Sequence, residues 1–235
     1  MKKIKEIVDE SSSFYFNTIL NFDYRLCYYN FLSFKPFFRG EIALELGPAS
    51  GYMTKHLIDN FKEIHLIEGS KELLEKIPDY ENLKKVHSLF EDYETDSKYD
   101  TIIMSHVLEH IENPVGVLKK IHNWLAKDGV FLVSVPNAKS IHRMAAVEMG
   151  LLESIYSLNA RDKELGHYRV YDLDKLEDDI KDAGFSIIKT GGIFLKPLSN
   201  KQIEDNWTDE MIEGFYKLGH VFTDNCAEIY IVCVK

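Results

Sequence analysis

Positive charge is in short supply in this chain. Of 235 residues, 28 are Lys or Arg against 38 Asp or Glu, a formal net charge of −10. That balance argues against a general binder of nucleic acid or of an anionic membrane, either of which needs a basic footprint. Cysteine is scarce too. Cys27, Cys226 and Cys233 share no C-x-x-C spacing and have no His pattern beside them, so neither a disulfide set nor a thiolate metal site is expected. No apolar run approaches the ~18 residues of a membrane span. The opening stretch, MKKIKEIVDESSS, has no apolar h-region, so no secretory signal is read there. A cytoplasmic protein with reduced thiols is the expectation, and neither an internal repeat nor a low-complexity linker interrupts it.

What is present is alternation. Short apolar runs at 41–46, 64–69, 84–88, 100–105, 129–135, 185–195 and 227–234 read as seven strands. Between them lie helix-like segments: Tyr52–Asn60, Lys71–Ile77, Pro114–Ala126, Leu173–Ala183 and Trp207–Leu218. Pro114 suits a first helical turn, and Gly184 suits a helix stop. The fold class expected is α/β, a mainly parallel seven-stranded sheet with helices on both faces and room for an antiparallel final strand. Two regions break the pattern. Residues 1–40 are aromatic-rich and read as an N-terminal helical cap on a domain spanning 41–235. Residues 137–168 follow the fifth strand and read as a helical insertion, with Met144, Val147, Leu151, Leu152 and Ile155 at helical spacing. Ligands of open α/β sheets sit at the carboxyl ends of the strands, so that insertion is placed to form a lid or a pocket wall.

The stretch ALELGPASGYMTKHL carries the chemistry. It is a strand, a tight turn of small residues and the start of a helix. Gly47 and Gly51 permit backbone angles that a side chain blocks, and Ala49 nearly does. The pattern is E-x-G-x-A-x-G. Glu45 beside the turn is unsuited to a pyrophosphate and suited to a ligand with positive charge. Glu68 ends the second strand about twenty residues on, where an acidic residue binds ribose hydroxyls. Acid at both places fits S-adenosylmethionine (SAM), an adenosine that carries a sulfonium.

LELGPASG, HLIEGS, YDTIIMSHVLEHIENPVGVLKKIHNWLAKDGVFLVSVPN and ELGHYRVYDLDKLEDDIKDAGF together resemble the class I, Rossmann-like SAM-dependent methyltransferases over residues 41–190. The nearest branch is similar to the small-molecule enzymes of the ubiquinone-biosynthesis type. The resemblance implies that Gly47, Pro48, Ala49 and Gly51 wrap the methionine part and ribose, with Glu45 near the methionine amino group. It implies that Glu68 accepts both ribose hydroxyls, with Gly69 and Ser70 beside the adenosine. Ser105 and His106 line the methionine portion, and His110 points toward the methyl acceptor. The family often places an acid after the third strand to hold the adenine. Here HSLFEDY offers Ser88, Leu89 and Phe90, with Glu91 next. The family also usually has Gly where this chain has Ala49. S-adenosylhomocysteine (SAH) is the implied product, and no metal is implied.

Methyl transfer from a sulfonium is an in-line displacement, and proximity supplies much of the rate. A base is needed only if the acceptor is protonated. The acidic chain nevertheless collects cations and imidazoles in the pocket segments: His142, Arg143 and Arg161 in the insertion, then His167, Tyr168 and Arg169. Arg forks match carboxylate or phosphate oxygens. The expectation is therefore a small, anionic acceptor methylated at oxygen before nitrogen, with His110 and His167 as catalytic groups and Arg143, Arg161, His167, Tyr168 and Arg169 on substrate. Natural-product or surface-polysaccharide tailoring is the role such enzymes often serve. Arg25 is assigned to the methionine carboxylate or to substrate. Each Arg alone also reads as a solvated ion pair. The partner expected is the small-molecule substrate, with the chain a monomer or a homodimer. Two other readings stay open: a SAM-binding regulatory protein without turnover, and a nicotinamide-dependent oxidoreductase.

Overall fold

The computed structural model describes residues 21–235. The first 20 residues of the expected 1–40 cap therefore lie outside the described residues. The seven expected strands form one sheet: β1 (Ile42–Leu46), β2 (Glu63–Glu68), β3 (Leu83–His87), β4 (Tyr99–Ser105), β5 (Leu125–Pro136), β6 (Ser186–Ile193) and β7 (Glu228–Val234). Their order is β3-β2-β1-β4-β5-β7-β6. Strands β1 to β5 pair in parallel, and β7 runs antiparallel between β5 and β6. The order reverses between β1 and β4, which makes their carboxyl ends the switch point where such sheets bind ligands.

Side-chain alternation divides the interior into two cores. Leu44, Leu46, Ile102, Met104, Phe131 and Val133 face one way. They pack against Val117, Leu118 and Ile121 of one helix (Pro114–Trp124) and against Leu176 and Ile180 of another (Leu173–Asp182). Ala43, Ile103, Leu132 and Val232 face the other way, toward Phe22, Leu26, Tyr29 and Phe34 of the N-terminal helix Asn21–Phe34. Those aromatics are core residues, as a helix with apolar positions three and four apart requires once a sheet face is open to it. Tyr29 stacks on Tyr216 at 4.0 Å between ring centroids.

The chain caps its helices as its sequence directs. Asn113 accepts the Gly116 N–H, with Pro114 in the first turn. Asp172 accepts the Lys175 N–H. The insertion departs from expectation. Its helix spans Ile141–Glu148 and stops before Gly150, whose φ of +70° turns the backbone left-handed. Leu151 is exposed, so the helical spacing that included it does not describe a buried face. A second short helix, Ala160–Glu164, is closed by a reciprocal cap between Asn159 and Asp162. Among the described residues, no helix is long and apolar enough to cross a membrane.

Candidate active site

A cavity of about 280 Å³ opens at the switch point. Its walls come from the N-terminal helix, the turn after β1, the end of β4, the insertion and the strand ends of β6 and β7.

The turn after β1 is built by backbone conformations that few residues tolerate. Gly47 has φ +66°, and a Cβ there would stand 2.5 Å from Val107 Cγ2. Gly51 has φ +82° and abuts Ile77. Ala49 adopts φ +48°, a left-handed angle that costs an L-residue roughly 1–2 kcal/mol. The turn directs the Ala49 N–H to Glu68 Oε2 at 3.1 Å, and Ser70 N–H, just past β2, donates to Glu68 Oε1 at 2.8 Å. Burial raises the Glu68 carboxyl above the usual range, against those bonds. Glu45 is 4% exposed and faces the cavity. The Thr54 hydroxyl donates to it at 2.7 Å. Burial pushes Glu45 up to about 7, and the charge of Glu68 adds to the effect.

Gly47, Pro48, Ala49, Glu45, Ser105 and His106 all line the cavity, as expected. Gly51, Glu68, Gly69, Ser70, Ser88, Leu89 and Phe90 are not among its lining residues. Ser70 caps the helix Lys71–Lys76, and the Ser88 hydroxyl donates to the Leu89 carbonyl. Phe90 packs against the core. Tyr52, just past the turn, stacks on Tyr24 of the N-terminal helix at 3.7 Å and ties that helix to the turn.

Beyond β4 the chain turns sharply, with His106 at φ +56°. Its Nε2 lies 2.9 Å from Glu228 Oε1 and its Nδ1 3.9 Å from Glu109 Oε1. Burial opposes a charged ring, but the two carboxylates outweigh it and push His106 up to about 9. Glu109 is 1% exposed, and neither of its oxygens has a hydrogen-bond partner. Burial raises its carboxyl. His110 meets His167 edge-to-face, ring centroids 4.6 Å apart. Burial, with the charges of His167 and His106, drives His110 down to about 3. A ring so weakly basic is a poor general base at neutral pH, so His110 is better suited to orienting a ligand than to removing its proton.

The arginines correct the expectation. Arg25 pairs with Asp209 on the surface and does not line the cavity. Arg169 donates to the carbonyls of Ile111 and Glu112, outside the cavity, and bolts down the loop after β4. Tyr168 is also off the cavity and 37% exposed. Arg143 reaches the cavity wall but spends its guanidinium on Asp162 and on the carbonyls of Ile155 and Ser157. Arg161 lines the cavity and pairs with Asp23 at 2.7 Å. The fork geometry expected to greet an anion is thus largely turned on the protein itself.

Glu109, Lys196 and Glu228 are wall residues that the sequence reading did not assign to the site. The topology explains two of them. Strand β6 runs with β5, so Lys196, three residues past its end, sits at the ligand edge. Strand β7 runs the other way, so its first residue, Glu228, begins at that same edge, opposite Pro136 and Ile193. Burial pulls Lys196 down to about 8. His142, also in the wall, is driven by burial to about 3 and has a buried Nδ1 with no partner. Glu109 lay within the quoted motif, where an acid inside the apolar run HVLEHI was the available signal.

The family comparison agrees with this geometry. The methyltransferase-domain family matches residues 25–190, well over half the chain. The chain belongs to that family. Among characterised relatives, it is 30% identical over 102 residues to (S)-coclaurine N-methyltransferase of Thalictrum flavum subsp. glaucum, which covers 40% of this chain and 28% of that protein. It is 25% identical over 118 residues to (S)-tetrahydroprotoberberine N-methyltransferase of Eschscholzia californica, covering 46% and 34%. The matched segment therefore spans about a third of those relatives or less. Solved structures share the fold. A SAM-dependent methyltransferase of Mesorhizobium loti superposes with a TM-score of 0.62 at 13% identity, over 87% of this chain and 95% of that one. Phosphoethanolamine N-methyltransferase 2 of Haemonchus contortus, in complex with SAM, gives 0.61 at 16% identity, over 87% and 52%. The expected Rossmann-like methyltransferase fold is thereby confirmed. The ubiquinone-type branch is not among these similarities.

Proposed function

We propose that the protein transfers the methyl group of SAM to a small polar molecule held in the cavity. The observation that carries this reading is the pairing of a left-handed, small-residue turn after β1 with Glu68 at the end of β2, bonded across 3.1 Å. In this reading Gly47, Pro48, Ala49 and Gly51 cradle the methionine and ribose, and Glu68 exchanges its bonds to backbone amides for bonds to ribose hydroxyls. Glu45 faces the methionine ammonium. Ser105 and His106 sit beside the sulfonium. Gly69, Ser70, Ser88, Leu89 and Phe90 border the adenosine. A lone pair on the acceptor attacks the methyl carbon opposite sulfur. The C–S bond breaks with its electron pair left on sulfur, giving SAH.

The acceptor atom in this proposal is an oxygen already ionised, on a molecule with an anionic handle, so that methylation leaves no proton to remove. Lys196 and protonated His106 supply cations at the cavity wall, beside Arg161 in its pair with Asp23. His110 and His167 border the acceptor. A second reading, methylation of an amine nitrogen, is favoured by the buried carboxyl of Glu109, whose oxygens have no hydrogen-bond partner, and by the N-methyltransferase relatives. Incubation with SAM and a panel of hydroxylated anions and of amines, read by mass spectrometry for SAH and methylated product, tests both. Turnover of anionic hydroxy compounds alone supports the first, and turnover of amines alone replaces it with the second. No SAH with any acceptor, and no SAM binding, contradicts both.

A further inference from the structure

We infer that Glu109, His110 and His167 form a binding site for one divalent transition-metal ion at the acceptor end of the cavity. One ligand atom from each of the three lies within 4.8 Å of the others. Two imidazoles and a carboxylate are a donor set that suits Zn²⁺, Mn²⁺ or Co²⁺. An ion with bonds of about 2.0–2.2 Å holds its ligands about 3–3.5 Å apart, so side-chain adjustments of an ångström or so close the site.

Two independent features favour a cation at this place. The first is Glu109. Its carboxylate is 1% exposed with both oxygens unpartnered, an arrangement a protein rarely leaves uncompensated. The nearest ring, His106, stands 3.9 Å away and is already paired more closely with Glu228. The second is the support behind His167, whose Nδ1 faces Asp162 Oδ1 at 3.4 Å. Metal-bound histidines are oriented in this way, one nitrogen on a carbonyl or carboxylate and the other free for the ion. Asp162 is itself fixed by Arg143 and by its cap with Asn159. The rings meet at 90° across 4.6 Å.

Three protein ligands leave coordination positions open. Resting on the methyltransferase reading, the ion anchors an oxygen of the acceptor there and supplies positive charge that the committed arginines do not.

The test is metal analysis of chelator-stripped protein titrated with Zn²⁺ and with Mn²⁺ by calorimetry. Wild type, Glu109→Gln and His167→Asn are compared, each also titrated with SAH. The expected result is one ion per wild-type chain and at least about a tenfold loss of affinity in either variant, with SAH affinity unchanged. Failure of wild type to bind either ion stoichiometrically overturns the inference, and so does equal binding by both variants. Metal binding without SAH binding sustains the site and removes the methyltransferase reading instead. Should a variant lose its native circular dichroism, the visible bands of Co²⁺-loaded wild type report the ligands directly. Bands of a Co²⁺ ion bound by water alone overturn the inference.

Discussion

The backbone N–H of Ala49 reaches Glu68 Oε2 at 3.1 Å and joins the turn after the first strand to the end of the second. The carboxylate is completed by the Ser70 N–H at 2.8 Å, so Glu68 is both a structural tie and the proposed ribose ligand.

Glu68→Ala is therefore expected to weaken SAH by ~1.5–3 kcal/mol, the worth of charge-assisted hydrogen bonds. Calorimetry checks this. Unchanged affinity removes Glu68 from the cofactor site.

Ala49 holds a backbone angle that glycine adopts freely. Ala49→Gly is expected to relieve that strain against the greater freedom of an unfolded glycine, a net gain of about 0.5–1 kcal/mol. The melting temperature should rise by roughly 1–4 °C, with SAH affinity retained. A lower melting temperature contradicts the assignment of strain.

Arg143→Ala takes the guanidinium from buried Asp162, which keeps His167 and the Asn159 N–H, and releases the carbonyls of Ile155 and Ser157. Breaking a buried pair of this kind costs about 3–5 kcal/mol. Urea unfolding should show that loss. A variant as stable as wild type but with raised acceptor KM would return Arg143 to the substrate-binding role that its sequence position implied.

The His106–Glu228 pair sets a pH dependence. His106 rises in the fold from 6.5 to about 9, so its contribution is whole below pH 6.5 and is lost as pH rises through 9. Lys196, lowered to about 8, adds an opposing gain only above pH 8. Between pH 6.5 and 8, unfolding free energy should fall in wild type and fall less in Glu228→Gln. Parallel slopes would dissociate the pair from stability.

The strands were legible because a sheet buried on both faces demands β-branched apolar runs, and the turn was legible because Gly47, Ala49 and Gly51 stand two apart. The side chains that finish the site were less so. Arg25 and Asp209 are 184 positions apart, and nothing near Arg25 announces that partner. Arg143 and Asp162 are closer, yet only the folded insertion brings them together. Lys196 joins the cavity because β6 runs with β5, and Glu228 because β7 runs against both, directions that a linear reading permits but does not fix. The insertion helix was overextended because Leu151 continues an apolar period that Gly150 interrupts.

Calorimetric titration of the protein with SAH, with NAD as control, tests the central claim most directly. The prediction is saturable SAH binding at one site per chain, weakened in Glu68→Ala, and no comparable binding of NAD. Tight NAD binding with no SAH binding would contradict it and make the turn after β1 a dinucleotide site.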